Sequence, residues 1–205
     1  MTVPMDLEAR VRARMTRTGE SYTTALAATK RAESLQPPPS PIAGWITAGD
    51  APWGYRFGVD VEEGVRSARI EHIDPTCQGF ATLMQMIDAA DYRAKRVRWS
   101  AEVRCDNITN FAGLWMRVDG RAREILAFDN MSERPLVGTR AWARADVVLE
   151  VDDSALAVAF GALLHGPGTL SFRRASFEAV ASDVPVTAQS IATHPRQPRN
   201  LSFDP

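Results

Sequence analysis

The chain has 205 residues, 45% of them apolar and 24% charged, with a formal net charge of −1. That is room for one good-sized domain, or one domain with a small appendage. The near-zero charge excludes a chain-wide electrostatic attraction to nucleic acid or to an anionic membrane.

Residues 6 to 35 carry a helical period. Leu7, Val11 and Met15 recur every fourth position and share one face. Gly19 breaks the run, and Ser21 is placed to cap a second helix over YTTALAATKRAESL, with Tyr22, Ala25, Leu26 and Thr29 along one side. Six basic residues against four acidic ones leave this pair at +2. A helix-turn-helix contact with DNA through this arm is weakly supported by that charge. A pair of helices this short cannot bury a core alone, so a docking or dimerising arm is the better reading. The arm is taken as residues 1–35, and QPPPSP, residues 36–41, as a semi-rigid proline linker.

From residue 42 the period changes to two. YRFGVDV, SARIEHI, RVRWSAEVR, GLWMRVDG, ARADVVLEV, ALAVAFGALL and TLSFRRASFEAV each alternate or run apolar, separated by Gly, Pro, Asp and Asn. FATLMQMIDAADY is the ambiguous piece, and we read it as a buried strand followed by a short turn. HGPG, residues 165–168, reads as a hairpin turn into the last strand rather than as a phosphate cradle. The expected fold is mainly β, a β-sandwich over residues 42–180, with an extended tail over 181–205.

The order of these strands resembles the galactose-binding-like jelly roll of carbohydrate-binding modules. YRAKRVRWSAEVR matches one strand of that pattern, and the Gly-containing turn before a last strand ending in SFEAV matches another. More closely, residues 44–180 resemble an uncharacterised domain attached to some bacterial transcriptional regulators and tail-specific-protease-like proteins. The matching pieces are GW (44–45) followed by AGDAP and Tyr55, MQMIDAADYRAKRVR, GLWMRVDG, FDNMSERP followed by GT and Trp142, and the FG and LLHGPG segments. The resemblance covers about two-thirds of the chain and implies a binding or sensing module with no chemistry of its own. Jelly rolls of this kind often carry a structural calcium with an acid on the last strand. Arg173 and Arg174 stand there instead, which argues against that site.

Motifs for catalysis are missing. The three histidines, His72, His165 and His194, have no second ligand at metal-binding spacing, and there is no C-x-x-C, G-x-S-x-G or P-loop. No catalytic residue, metal or cofactor is therefore assigned. Cys77 and Cys105 read as two reduced thiols. No run approaches the ~20 apolar residues of a membrane span. The start, MTVPMDLEARVRARM, interleaves charges where a signal peptide is apolar, so the expected location is the cytoplasm.

The best candidate for a site is the stretch from residue 115 to 142. Alternation turns Leu114, Met116 and Val118 inward and Trp115, Arg117 and Asp119 outward together. An aromatic ring beside an arginine and a carboxylate suits a small polar-ring ligand. Asp129, Asn130 and Trp142 complete the expected ligand-binding set. Two alternatives stay open. One is a hydrolase using Asp119 and Asp129 as paired carboxylates, against which salt-bridged loop structure is the plainer reading. The other is a structural protein whose outer face is covered by the helical arm or by a second copy in a homodimer. The reading is thus a non-enzymatic cytoplasmic ligand-sensing or interaction module linked to transcriptional regulation.

Overall fold

The computed structural model describes residues 7–26 and 39–187. Helix α1 spans Leu7–Thr18 and ends where Gly19 takes a φ of +71°, with its N–H bonded to the Met15 carbonyl. A second helical run, 22–26, starts under Ser21, whose Oγ accepts the Thr24 N–H at 3.3 Å. Val11 and Ala25 are fully buried. Thr29 and the remainder of the expected second helix lie outside the described residues, as do the first half of the proline linker (36–38), the end of the tail and His194.

Nine strands follow: β1 (Ile46–Gly49), β2 (Tyr55–Glu62), β3 (Val65–His72), β4 (Phe80–Asp88), β5 (Lys95–Asp119), β6 (Ile125–Asp129), β7 (Leu136–Val151), β8 (Ala157–His165) and β9 (Thr169–Val180). The ambiguous FATLMQMID segment is the strand β4, with a 3-10 turn at Ala90–Tyr92 after it. All pairings are antiparallel, in the order β1-β4-β8-β5-β9-β3-β2, with β6 and β7 also on β5.

β5 makes this a sandwich. Two strands were expected, over RVRWSAEVR and GLWMRVDG; the structure has a single one of 25 residues. Its first half pairs with β7 and β9, and its second half with β8 and β6. The chain therefore leaves one sheet and enters the other without a break, as strands at sandwich corners do by bulges and bends. The bend is at Asn107, whose φ is +51°. Before it Val97, Trp99, Ala101, Val103 and Cys105 are buried at odd positions; after it Ile108, Ala112, Leu114, Met116 and Val118 are buried at even ones. One extra residue resets the alternation so that both halves face the same core. Cys105, one residue past the expected RVRWSAEVR strand, is thus in mid-strand.

The two sheets are β7-β5-β9-β3-β2 and β1-β4-β8-β5-β6. Their shared core is aromatic. Trp99 from the first sheet packs 5.1 Å from Phe160 of the second, and its indole N–H donates to the Gly161 carbonyl at 2.9 Å. Trp45, Phe172 and Phe177 extend this cluster.

The turn joining β8 to β9 crosses between the sheets at the same end as the Asn107 bend. Tyr55 ties this end together. Its hydroxyl donates to the Gly79 carbonyl at 2.7 Å and accepts the Gly166 N–H at 2.8 Å. Burial, foremost, pushes its pKa from 10.0 up to about 12, with Cys77 and Asp50 adding to the effect and the Gly166 bond opposing it. Folding therefore favours the neutral phenol. That contribution is full below pH 10 and is lost as the pH climbs from 10 to about 12. Tyr55→Phe should cost about 1–2 kcal/mol at pH 8, because two backbone groups lose their partner. Urea midpoints should show the gap between wild type and variant closing by pH 12.

Candidate functional site

The outer faces of the two sheets differ in kind. On the sheet of β7, β5, β9, β3 and β2, arginines and carboxylates alternate and neutralise one another. Arg69 pairs with Asp60 and Glu71, Arg104 with Glu62, and Arg173 and Arg174 both with Glu102. Hydrogen bonds from Arg173 and then Arg174 hold the Glu102 carboxyl below the usual range. Trp142 sits among them, with the Arg104 guanidinium 4.8 Å and that of Arg173 4.1 Å from its ring centroid.

The outer face of the other sheet is aromatic and sulfur-rich. Trp115 of β5 stands opposite Gly161 of β8, which in turn stands opposite Met84 of β4. With no side chain at Gly161, the indole lies across β8, and its N–H reaches the Thr82 hydroxyl on β4 at 2.8 Å. The Thr82 hydroxyl in turn donates a hydrogen bond to the Ala162 carbonyl. Trp115 is consequently only 7% exposed, packed with Phe80, Met84, Phe111 and Leu163. Phe128 of β6, Met86 of β4 and Ile46 of β1 remain 46%, 50% and 53% exposed. Contiguous apolar surface of this kind marks binding sites more often than it marks inert surface.

A groove of about 520 Å³ runs over this face, with Phe80, Met84, Phe111, Trp115, Phe128 and Leu163 as its apolar lining. Arg117, Asn130 and His165 bring polar groups to it. Arg117 is held by a two-pronged bond to Asp119, at 2.7 and 3.0 Å. A second hollow, of about 570 Å³, lies along β7. It is lined by charges such as Arg96 and Glu150, which pair with each other.

Of the six residues expected to bind ligand, Trp115, Arg117 and Asn130 line one groove. Asp119 stands behind Arg117. Two expectations are corrected. Asp129 pairs in register with Met116, which points into the core, so its carboxylate faces away from the groove. There it accepts the Met131 N–H and an ion pair from Arg134. Trp142 lies on the other sheet altogether. Asp119 and Asp129 thus face opposite sides of one sheet and cannot flank a glycosidic bond. Phe80, Met84, Phe111, Phe128, Leu163 and His165 were not singled out from sequence. In β4 and β8 the outward positions are as apolar as the inward ones, and that doubling is the signal that would have found most of them.

The remaining reactive groups are quiet. Burial, foremost, raises the pKa of both Cys77 and Cys105, against activation as thiolates. Both are free thiols. Among the described residues no three His, Cys, Asp or Glu side chains are grouped to hold a metal ion. No described helix is long and apolar enough to cross a membrane.

No family model matches the chain. A curated relative, an uncharacterised HTH-type transcriptional regulator of Bacillus subtilis (strain 168) called YbfP, is 37% identical over 168 residues. The match takes in 80% of this chain and 57% of that protein. The likeness to a domain found with transcriptional regulators therefore holds.

Among solved structures, the enzymatically active domain of the bacteriophage CBA120 tailspike protein 4 superposes with a TM-score of 0.50 at 13% identity, over 67% of this chain and 20% of that one. A CBM4 structure superposes at 0.48 and 17%, over 66% and 86% of the two chains. The CBM22-1 xylan-binding domain of Paenibacillus barcinonensis Xyn10C gives 0.49 and 12%, over 71% and 90%. The fold is an antiparallel β-sandwich of the jelly-roll kind.

Gly161 is a sensitive point of this face. A Cβ there would run into the Leu83 carbonyl and the Met84 Cα of the neighbouring strand. Gly161→Ala should destabilise the protein by about 1–3 kcal/mol through overpacking, read as a lowered urea midpoint with an unchanged slope.

Proposed function

We propose that this chain is a non-enzymatic, cytoplasmic ligand-sensing module associated with transcriptional regulation, and that its ligand binds the groove over Trp115. The observation that carries this reading is the contrast between the two outer faces. One is largely an ion-paired lattice, with Arg69, Arg104, Arg173 and Arg174 each against a carboxylate. The other leaves aromatic and thioether side chains exposed around a groove with a few polar groups, the usual make-up of a small-molecule site. The association with regulation is supported by the relative named as an HTH-type regulator. The chain spans little more than half of that protein's length, 57%, so the regulatory role is a proposal for this chain.

A second reading is favoured by Ile46, Met86 and Phe128, whose exposure suits a covered protein interface, including one with a second copy. The same face serves both readings, and the two part on whether a small molecule alone stabilises the chain.

Thermal-shift screening with a metabolite library should find a compound that raises Tm, since a ligand at 100 times its Kd adds about 2.7 kcal/mol. Phe128→Glu should abolish the shift, whereas Trp142→Ala on the opposite sheet should leave it intact. A shift that survives Phe128→Glu and disappears in Trp142→Ala would place the site on the wrong face.

A further inference from the structure

The ionisable groups of the groove lie at its two ends, and this bears on what the groove accepts. The inference rests on the groove's being the ligand site. Of the described residues lining it, only Arg117 and His165 can carry charge. Strand register sets them far apart. His165 of β8 stands between Phe80 of β4 and Phe111 of β5. Arg117 stands between Ala159 of β8 and Phe128 of β6, with Asp119 beyond it. The Phe111 and Arg117 rows are six positions apart along β5, about 20 Å at ~3.3 Å per residue. Two of the rows between them are Thr82–Leu163–Gly113 and Met84–Gly161–Trp115, and neither holds a charged side chain. Their polar atoms are also engaged beneath the surface. The Trp115 N–H is bonded to Thr82, so the indole contributes ring surface and no free donor.

We propose that the groove takes an uncharged fused-ring compound, seated over these two middle rows with Leu163 and Trp115 beneath it and Phe80, Phe111 and Phe128 around it. The rows are about 6.6 Å apart along the strands, more than a single ring covers. Aromatic side chains grouped in this way favour flat partners in offset or edge-on contact. A charge carried over the middle rows would leave water and meet no counter-charge. At the Arg117 end an anion meets the Asp119 carboxylate as well as the guanidinium, since the two are joined by a two-pronged bond. A cation there meets the reverse. At the exposed His165 end a charge stays in water and adds nothing. The groove therefore selects for apolar ring area and against charge.

The test uses two dyes with nearly the same ring body, the uncharged N-phenyl-1-naphthylamine and its anionic counterpart 1-anilinonaphthalene-8-sulfonate. Each is titrated by fluorescence against the full chain, well below its melting temperature. The wild type should bind the neutral dye with one-to-one stoichiometry and about 10-fold more tightly than the sulfonate, and Phe128→Glu should abolish that binding. Met84→Lys places a cation in a middle row and should move the ratio about 10-fold toward the sulfonate. Arg117→Met/Asp119→Leu, which removes the self-neutralised pair together, should leave the ratio unchanged. Far-ultraviolet circular dichroism and Tm check folding, and Met84→Lys, at a half-buried position, keeps the test valid if the double variant does not fold.

Equal binding of both dyes, or a sulfonate preference, would overturn the selection against charge; if that binding is lost in Phe128→Glu, the groove stands as the ligand site. A ratio that moves in the double variant and not in Met84→Lys would overturn the seating over the middle rows. If neither dye binds, or if binding survives Phe128→Glu, the groove itself is the wrong site and both readings fall.

Discussion

Everything in this domain hangs on one strand being in two sheets at once. β5 supplies the pairing edge for β7 and β9 with its first half and for β8 and β6 with its second. Such a strand faces a geometric difficulty, because alternation is strict and a bend that does not reset it turns one half inside out. Asn107 resolves this with a left-handed backbone conformation that adds the odd residue. The turn from β8 to β9 is packed onto this bend: Thr109 bonds to the Pro167 carbonyl, and a side chain at Gly168 would meet the backbone of Asn107 and Ile108. Tyr55 then fastens that turn to the Gly79 loop. Corner, turn and hub form one assembly, and the aromatic core between the sheets is aligned by it.

The same arrangement sorts the outer faces. The half of β5 rich in arginine and glutamate lands in a sheet whose other strands carry complementary charges. Its outer surface becomes an ion-paired lattice. Individual pairs of this exposed kind contribute little, but together they neutralise most of the arginines on this face. The half containing Trp115 lands between β8 and β6 and shares an apolar outer surface with β4. Trp115 illustrates how far neighbours decide a residue's role. On its own strand it is an outward tryptophan beside an arginine. In the sheet it lies over a glycine on one neighbouring strand and is anchored to a threonine two strands away, and it serves as the floor of a groove whose walls are other residues.

Much of this was legible beforehand. The period of two, the turn residues and the strand motifs pointed to a jelly roll, and the inward set Leu114, Met116 and Val118 is fully buried. The outward set Trp115, Arg117 and Asp119 does share one face. Asp129 and Trp142 were grouped with them through closeness in sequence, and register separates them. Asp129 falls opposite an inward methionine, and Trp142 belongs to a strand paired with the other half of β5. β6 passed for loop because ILAFD is too short to show a period. Phe80, Met84 and Leu163 looked like ordinary core residues, because apolar residues on both faces of β4 and β8 read as burial on both sides rather than as a core on one side and a groove on the other.

Local physics decided the alphabet of this protein. Side-chain alternation, β-branched and aromatic content, glycine turns and the cap at Ser21 depend on neighbours a few positions away, and these can be read along the chain. Which strands became neighbours depended on contacts between residues far apart in sequence. Tyr55 reaches Gly166, Trp99 reaches Gly161, and Trp115 reaches Thr82. Those pairings selected the face that carries a groove and the face that closes on its own charges. They were settled by the tertiary structure because a strand's outer side chains acquire their meaning only from the strands beside them.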